Sequence, residues 1–182
     1  MSGTDPSGRD AGLWIRQAAP GDIPAIKRVI FDALTTYGLQ PEPEGTDADL
    51  DHIDEVYRDG LFEVLVDADG NIVGTVGLAP ADEPGAVELR KMYFAPAVRG
   101  KGWGSALLAR MIEKARAMGF RSMVLETASP LREAIILYRR FGFRERVGEP
   151  CVARCDQAFE LELSAWQGPP RPVRCLQEVE ND

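Results

Sequence analysis

Residues 87–105 have the sequence VELRKMYFAPAVRGKGWGS, in which an apolar and polar mixture gives way to three closely spaced glycines. The pattern from Ala86 to Phe94 predicts a β-strand. After the glycines, apolar residues recur at helical spacing, which predicts a helix that ends near Gly119. The sequence therefore predicts a strand, a glycine-rich loop and a helix N-terminus in direct succession.

The glycine-rich loop, residues 99–105, suits an anionic ligand such as phosphate or pyrophosphate. Unpaired N–H groups and the helix dipole both favour negative charge at a helix N-terminus. Glycines let the backbone approach a ligand closely. The Gly-x-Gly-x-Gly spacing differs from the Walker A loop and from the dinucleotide fingerprint. A turn that binds no ligand, and a nucleotide site of another kind, are the alternatives.

Charge is distributed unevenly along the chain. The segment from Arg90 to Arg121 holds eight Lys or Arg residues and one acid, within a chain of net charge −8. The segment from Glu42 to Glu55 holds seven acids and no Lys or Arg. Such runs are often only solvated surface, but the contrast favours an anion-binding side and an acidic rim elsewhere. A net acidic chain is also a poor candidate for binding nucleic acid or an anionic membrane.

Composition places the chain among ordinary globular domains. It has 182 residues, of which 45% are hydrophobic and 27% are charged. No membrane-length apolar run and no secretory signal are visible, so we expect a cytoplasmic location. The only histidine, His52, leaves little room for a His-activated nucleophile or a His-based metal site. We therefore expect no metal.

Two motifs resemble those of the GNAT superfamily of N-acyltransferases. The sequence Arg99-Gly100-Lys101-Gly102-Trp103-Gly104 resembles the acyl-CoA-binding pattern Arg/Gln-x-x-Gly-x-Gly/Ala of that family. The segment 134–143, with Tyr138 followed by Gly-Phe, resembles the family's second motif. The order of predicted elements over residues 13–163 is similar as well.

The predicted elements indicate an α+β or mixed α/β fold, with a sheet of six to seven strands and about four helices. The resemblance implies that this sheet is splayed between its fourth and fifth strands, and that the catalytic domain occupies residues 13–163. Residues 1–12, rich in Gly, Ser and Asp, are expected to form a disordered N-terminal tail, and residues 164–182 a C-terminal tail or loose strap.

The resemblance also implies acetyl-CoA as the acyl donor, bound in the gap of the splayed sheet. Loop amides would hold the pyrophosphate, while the backbone of Met92 and Phe94 would orient the pantetheine arm. An asparagine that many members use on this arm is replaced by Leu131, which puts that contact in question. The donor-binding residues implied are Met92, Tyr93, Phe94, Arg99, Gly100, Lys101, Gly102, Trp103, Gly104 and Ser105.

Catalysis would be direct acyl transfer to a primary amine, with no covalent acyl-enzyme (EC 2.3.1.-). An amine attacks only when neutral, so a general base helps. Glu88 is the first candidate base and Glu126, on the next strand, the second. Tyr138 matches the tyrosine that protonates the leaving thiolate in many family members. Glu88 could instead pair with Arg90, and Tyr138 could be a core aromatic.

The acceptor is left open between a small amine and a peptide. The acidic run from Glu42 to Glu55 favours an acceptor that carries positive charge. A non-catalytic acyl-CoA-binding regulatory module is the alternative function, and the sequence does not decide between a monomer and a homodimer.

Overall fold

The computed structural model describes residues 12–148 and 153–179, and its centre is one mixed β-sheet. Eight strands are found among these residues: β1 (Trp14–Gln17), β2 (Leu61–Val66), β3 (Ile72–Pro80), β4 (Ala86–Phe94), β5 (Ser122–Thr127), β6 (Arg144–Glu145), β7 (Gln157–Glu162) and β8 (Gln177–Glu178). The four α-helices of the described residues are α1 (Ile23–Thr36), α2 (Ile53–Val56), α3 (Trp103–Ala117) and α4 (Arg132–Arg140).

The strand order across the sheet is β6-β7-β5-β4-β3-β2-β1-β8. Neighbours are antiparallel except for the β4–β5 and β1–β8 pairs, which are parallel. Helices cover both faces, because each face has its own apolar core. One core lies beneath α3 and α4, and the other lies beneath α1 and α2. This arrangement confirms the predicted mixed α/β fold.

Helix α3 is fixed to the sheet by its apolar face. Eight of its residues are buried, among them Leu107, Leu108, Met111 and Ile112, which are wholly inaccessible to solvent. Burying each such side chain contributes about 1.5–3 kcal/mol relative to exposure. The glycine-rich loop that precedes α3 is therefore attached to one of the most firmly held elements of the fold.

The predicted strand number of six to seven is too low by at least one. The additional strand is β8, a two-residue segment that adds to the edge of the sheet beside β1. It lies in the predicted C-terminal tail, whose described part, residues 164–179, runs back across the domain. The proposed boundaries at residues 12, 13, 163 and 164 stay predictions, and residues 1–11 lie outside the described residues.

The sequence from Asp47 to Asp59 predicts a long second helix, and this prediction is wrong. The chain instead forms a short 3-10 helix, Ala48–Asp51, and then the four-residue α2. His52 separates them in a non-helical conformation, with φ −131° and ψ 39°. Asp47 is drawn inward to cations from other elements, so its carboxylate does not cap a regular helix.

Candidate active site

Strands β4 and β5 separate after a short stretch of pairing. They are paired only from Ala86 to Glu88 on one strand and from Ser122 to Val124 on the other. Beyond these positions both strands continue, β4 to Phe94 and β5 to Thr127. A cavity of about 960 Å³ opens between them and extends to the loop before α3. The splay predicted between the fourth and fifth strands is thus confirmed.

A β-bulge at Lys91 changes which side chains of β4 face each core. Arg90 pairs with Gly77 and Tyr93 with Thr75, so Lys91 and Met92 together lie opposite Val76. Lys91 has a φ of 55°, which is uncommon for a residue other than glycine. Its carbonyl accepts a 2.7 Å hydrogen bond from the Thr75 hydroxyl, which holds the bulge in place.

Before the bulge, Val87 and Leu89 pack into the core beneath α3 and α4. After it, Met92 and Phe94 pack against that same core, while Tyr93 packs against the other one. With this bulge, β4 lines the cavity from Glu88 to Phe94.

The glycine-rich loop forms the N-terminus of α3, as predicted. Gly100 and Gly102 have φ values of 71° and 86°, and Gly102 is the N-cap residue. A side chain at Gly100 would meet nothing within 4 Å, so the backbone there is open to a ligand. Arg99 ties the loop to the end of β4 through a 2.8 Å bond from its Nε to the Phe94 carbonyl.

The rest of the Arg99 guanidinium has a hydrogen-bonding group that is left without a partner in the part of the chain that the structure describes. Its Cζ lies 5.4 Å from the centre of the Tyr37 ring, in a cation–π contact. One terminal nitrogen is buried and has no hydrogen-bond partner among the described residues. Such groups are costly unless a ligand or water satisfies them. An open glycine backbone, a free helix N-terminus and an unsatisfied donor at the cavity are together suited to a phosphate-bearing ligand.

The predicted donor-binding residues occupy two positions relative to the cavity. Those that line it are Met92, Tyr93, Phe94, Arg99, Gly100 and Gly104. Lys101, Gly102, Trp103 and Ser105 lie in the loop and first turn of α3 outside that lining, and Trp103 is buried in the core. Leu131, at the position where asparagine was expected, lines the cavity as an apolar residue.

The proposed acid and base line the same cavity. Tyr138 is buried on α4, where its ring packs against Phe143 and Phe159. Burial, with smaller contributions from Tyr93 and Cys155, raises the pKa of Tyr138. The phenol therefore stays protonated at neutral pH and keeps a proton to donate.

Glu88 forms an ion pair with Arg90, which was the alternative that the sequence left open. The Arg90 Nε donates to a Glu88 carboxylate oxygen at 2.7 Å. Both side chains nevertheless line the cavity, as does Glu126 on β5. The pairing holds the Glu88 carboxylate in one orientation beside the cavity.

A buried group of charged residues was not predicted. Asp47 is wholly inaccessible to solvent and lies 2.6 Å from Lys91 Nζ. Arg154 binds the same carboxylate with two bonds of 2.7 Å. Asp49 is 3.1 Å from Lys91 and accepts a 2.8 Å bond from the Tyr57 hydroxyl. This group joins the segment after α1 to the segment before β7 across the cavity.

These contacts change the interpretation of the acidic run. Asp47 and Asp49 are paired with Lys91, and Asp51 is 2.6 Å from Lys27 Nζ. Burial alone would raise the pKa of Asp47, but bonds from Arg154, the Glu42 amide and Lys91 outweigh it and lower the pKa to about 2. Each of these three carboxylates is therefore paired with a protein cation, and the cationic acceptor stays a prediction.

Cys155 is a further cavity residue that the sequence did not point to. Burial, followed by the influence of Glu126, raises the pKa of its thiol to about 11. The group is therefore a neutral thiol at neutral pH, and not a thiolate nucleophile.

Within residues 12–148 and 153–179, no group of three or more His, Cys, Asp or Glu side chains is arranged to hold a metal ion. In the same residues, every helix is too short or too polar to cross a bilayer.

Comparisons with known proteins agree with this geometry. The sequence pattern of the Acetyltransferase (GNAT) family matches residues 28–143. The protein named "Uncharacterized N-acetyltransferase YjgM" of Escherichia coli strain K12 is 42% identical over 134 residues, which are 71% of this chain and 80% of that protein.

Solved structures show the same fold. A GNAT-family acetyltransferase from Staphylococcus aureus Mu50 superimposes with a TM-score of 0.76 at 21% identity, over 84% of this chain and 99% of that one. The protein yncA of Salmonella typhimurium, solved with its cofactor acetyl-CoA, has a TM-score of 0.65 at 26% identity, over 88% and 98% of the two chains. With the splayed sheet and the loop before α3, these matches show that the chain belongs to the acetyltransferase (GNAT) family and is an acyltransferase.

Proposed function

We propose that the protein transfers an acetyl group from acetyl-CoA directly to a primary amine of a small molecule or peptide. The observation that carries the proposal is the cavity between β4 and β5, which extends from the open N-terminus of α3 to Glu88 and Tyr138. The Salmonella relative, solved with acetyl-CoA, supports the choice of donor. Acetyl-CoA would supply a thioester, whose carbonyl carbon accepts the amine.

The donor would be held by backbone groups more than by side chains. Amides from Arg99 to Ser105 would bind the pyrophosphate at the positive end of α3. The unsatisfied guanidinium nitrogen of Arg99 would gain a partner there. On the cavity side of β4, Met92 and Phe94 lie where the strand has no pairing with β5, which supports their backbone groups as partners of the pantetheine arm.

The transfer itself needs three proton movements. Glu88 would take a proton from the acceptor ammonium, directly or through a water, so that the amine can form the C–N bond. As the C–S bond breaks, the Tyr138 hydroxyl would give its proton to the leaving sulfur. The nitrogen, positively charged after the attack, would lose its second proton on becoming an amide, and this proton would return through water to the Tyr138 phenolate. Cys155 is a neutral thiol, which favours direct transfer over an acylated cysteine.

The proposed activity is tested by thiol release. The protein is mixed with acetyl-CoA and a panel of primary amines, and free CoA is followed with a thiol reagent. We expect release that depends on both the protein and the amine. Binding of acetyl-CoA without thiol release from any amine would instead support the alternative, a non-catalytic acyl-CoA-binding module. The panel should contain neutral, anionic and cationic amines, because a cationic acceptor stays a prediction of the sequence.

The Tyr138→Phe variant should lower kcat by roughly 10²-fold, the range expected for loss of one general acid. The ring contacts with Phe143 and Phe159 would remain, so the fold and the KM for acetyl-CoA should change little. Steady-state kinetics by thiol detection measure the effect. A variant with the kcat of the wild type would assign Tyr138 to the core alone.

The Glu88→Gln variant should lose activity at neutral pH and recover it as pH rises. The reason is that an amine which is already deprotonated in solution no longer needs the base. The measurement is kcat/KM against pH, with Glu126→Gln as the matched variant of the second candidate base. A pH-independent deficit in Glu88→Gln, with a pH-dependent one in Glu126→Gln, would move the role of base to Glu126.

A further inference from the structure

Residues 166–179, here called the C-terminal strap, are held against α3 and β1. At one end Trp166 is buried, and the Arg116 guanidinium lies 6.0 Å from its ring centre. At the other end β8 pairs with Trp14 and Ile15, and the Val179 amide donates to the Ile15 carbonyl at 3.0 Å. The strap is therefore fixed on both sides of its middle section.

The middle section places Arg174 at the glycine-rich loop. Its guanidinium lies over the Trp103 ring, with Cζ 4.4 Å from the ring centre. One terminal nitrogen donates to the Lys101 carbonyl at 3.2 Å. The aliphatic part of the side chain passes Gly102, where an added Cβ would lie 3.7 Å from Arg174 Cδ. A residue more than seventy positions away in sequence is thus in contact with three successive residues of the loop.

This placement brings a cation to the end of α3 that attracts anions. The helix dipole and its unpaired amides already favour negative charge there. A guanidinium that is stacked on an aromatic face keeps its N–H donors in the plane, which is the arrangement in which arginine binds phosphate. Lys101, which is exposed, adds a second positive charge beside it.

We propose that Arg174 binds a phosphate of the acyl donor, so that the C-terminal strap completes the donor site. The proposal rests on the proposed function, which supplies a donor with a pyrophosphate and a 3′-phosphate. Stacking on Trp103 holds the guanidinium in position, and the phosphate then receives a charge-assisted bond.

The test compares dissociation constants of acetyl-CoA for the full-length wild type, Arg174→Gln, Arg174→Lys and Arg171→Gln. Arg171 is exposed on the same strap, so its variant removes equal charge and serves as the matched control. We expect about a ten- to hundredfold weaker affinity for Arg174→Gln, as for loss of a charged hydrogen bond. Arg174→Lys should lose less, and Arg171→Gln less than about twofold, since exposed charges interact weakly.

Two truncated forms of the donor show which phosphate Arg174 binds, the 3′-phosphate or the pyrophosphate. They also test whether Arg174 acts only by stabilising the fold. If the deficit of Arg174→Gln disappears with dephospho-CoA, the partner is the 3′-phosphate, and if it persists, the partner is the pyrophosphate. S-acetylpantetheine has no phosphate of either kind, so Arg174→Gln should use it as well as the wild type does. The ratio of kcat/KM for acetyl-CoA to kcat/KM for S-acetylpantetheine should therefore fall in Arg174→Gln by the same factor as the affinity for acetyl-CoA. An equal loss of kcat/KM with both acetyl donors would overturn the proposal, as would wild-type affinity in Arg174→Gln. A wild type that binds no form of CoA would instead refute the proposed function.

Discussion

Replacing Asp47 with asparagine is expected to lower the free energy of unfolding by about 3–5 kcal/mol, the range for breaking a buried ion pair. Asp47 is inaccessible to solvent and is the shared partner of Lys91 and Arg154. Asparagine has nearly the same shape but no charge, so two cations would be left without their common counter-ion. Urea unfolding, followed by the fluorescence of the tryptophans, measures the change.

The matched control is Asp51→Asn, which removes the same charge four residues later. Asp51 pairs with Lys27 at 2.6 Å, but its side chain is 50% exposed, and such pairs contribute only about 0–1 kcal/mol. Equal losses in the two variants would contradict the stabilising role of the buried Asp47 ion pairs.

The stabilisation by Asp47 should also depend on pH. The low pKa of Asp47 contributes stability above the unfolded value near 4. That contribution is lost as pH falls toward about 2. The free energies of unfolding of the wild type and of Asp47→Asn should therefore converge in acid.

Replacing Gly102 with glutamate is expected to abolish binding of acetyl-CoA. Gly102 is the N-cap of α3 and has a φ of 86°. A carboxylate there would lie at the positive end of the helix and repel the pyrophosphate. In the wild type, acetyl-CoA at about 100 times its dissociation constant should add about 2.7 kcal/mol of stability. Thermal unfolding with and without ligand should show this gain in the wild type and none in the variant.

The control for this substitution is Gly102→Gln. It has the same size and the same unfavourable backbone conformation, and it differs only in charge. Both variants should lose similar stability without ligand, because positive φ is costly for any residue with a Cβ. Glutamine should retain part of the ligand-induced gain. A glutamate variant that acetyl-CoA stabilises as strongly as the wild type would show that the phosphates bind elsewhere.

Much of the donor side could be predicted from the sequence because its signals are local. The loop from Arg99 to Ser105 lies within seven consecutive residues, and its glycines, its helix start and its family pattern all coincide. The splay between β4 and β5 followed from resemblance, since nothing in either strand alone shows where pairing ends. Strand β8 was missed because two residues carry no periodicity, and their partner β1 lies at the other end of the sequence.

The buried charged group around Asp47 was less predictable because its contacts are distant in sequence. Asp47 and Arg154 are separated by 107 positions, and Asp47 and Lys91 by 44. Read alone, each of these residues is typical of solvated surface. The charge run from Glu42 to Glu55 was visible, but the cations that neutralise part of it were not. Glu88 and Arg90, only two residues apart, were the one ion pair of this region that the sequence suggested.

The bulge at Lys91 makes the number of residues in β4 as important as their identity. Removing Lys91 would restore strict alternation and leave Met92 and Phe94 on the face of Val87 and Leu89, because the deletion takes away the extra residue of the bulge. Inserting one further residue between Arg90 and Phe94 would shift the side chains beyond it by one position, and Met92 and Phe94 would leave the core beneath α3. Substitutions in this strand can be tolerated one at a time, whereas a single-codon insertion would change together the residues that line the cavity.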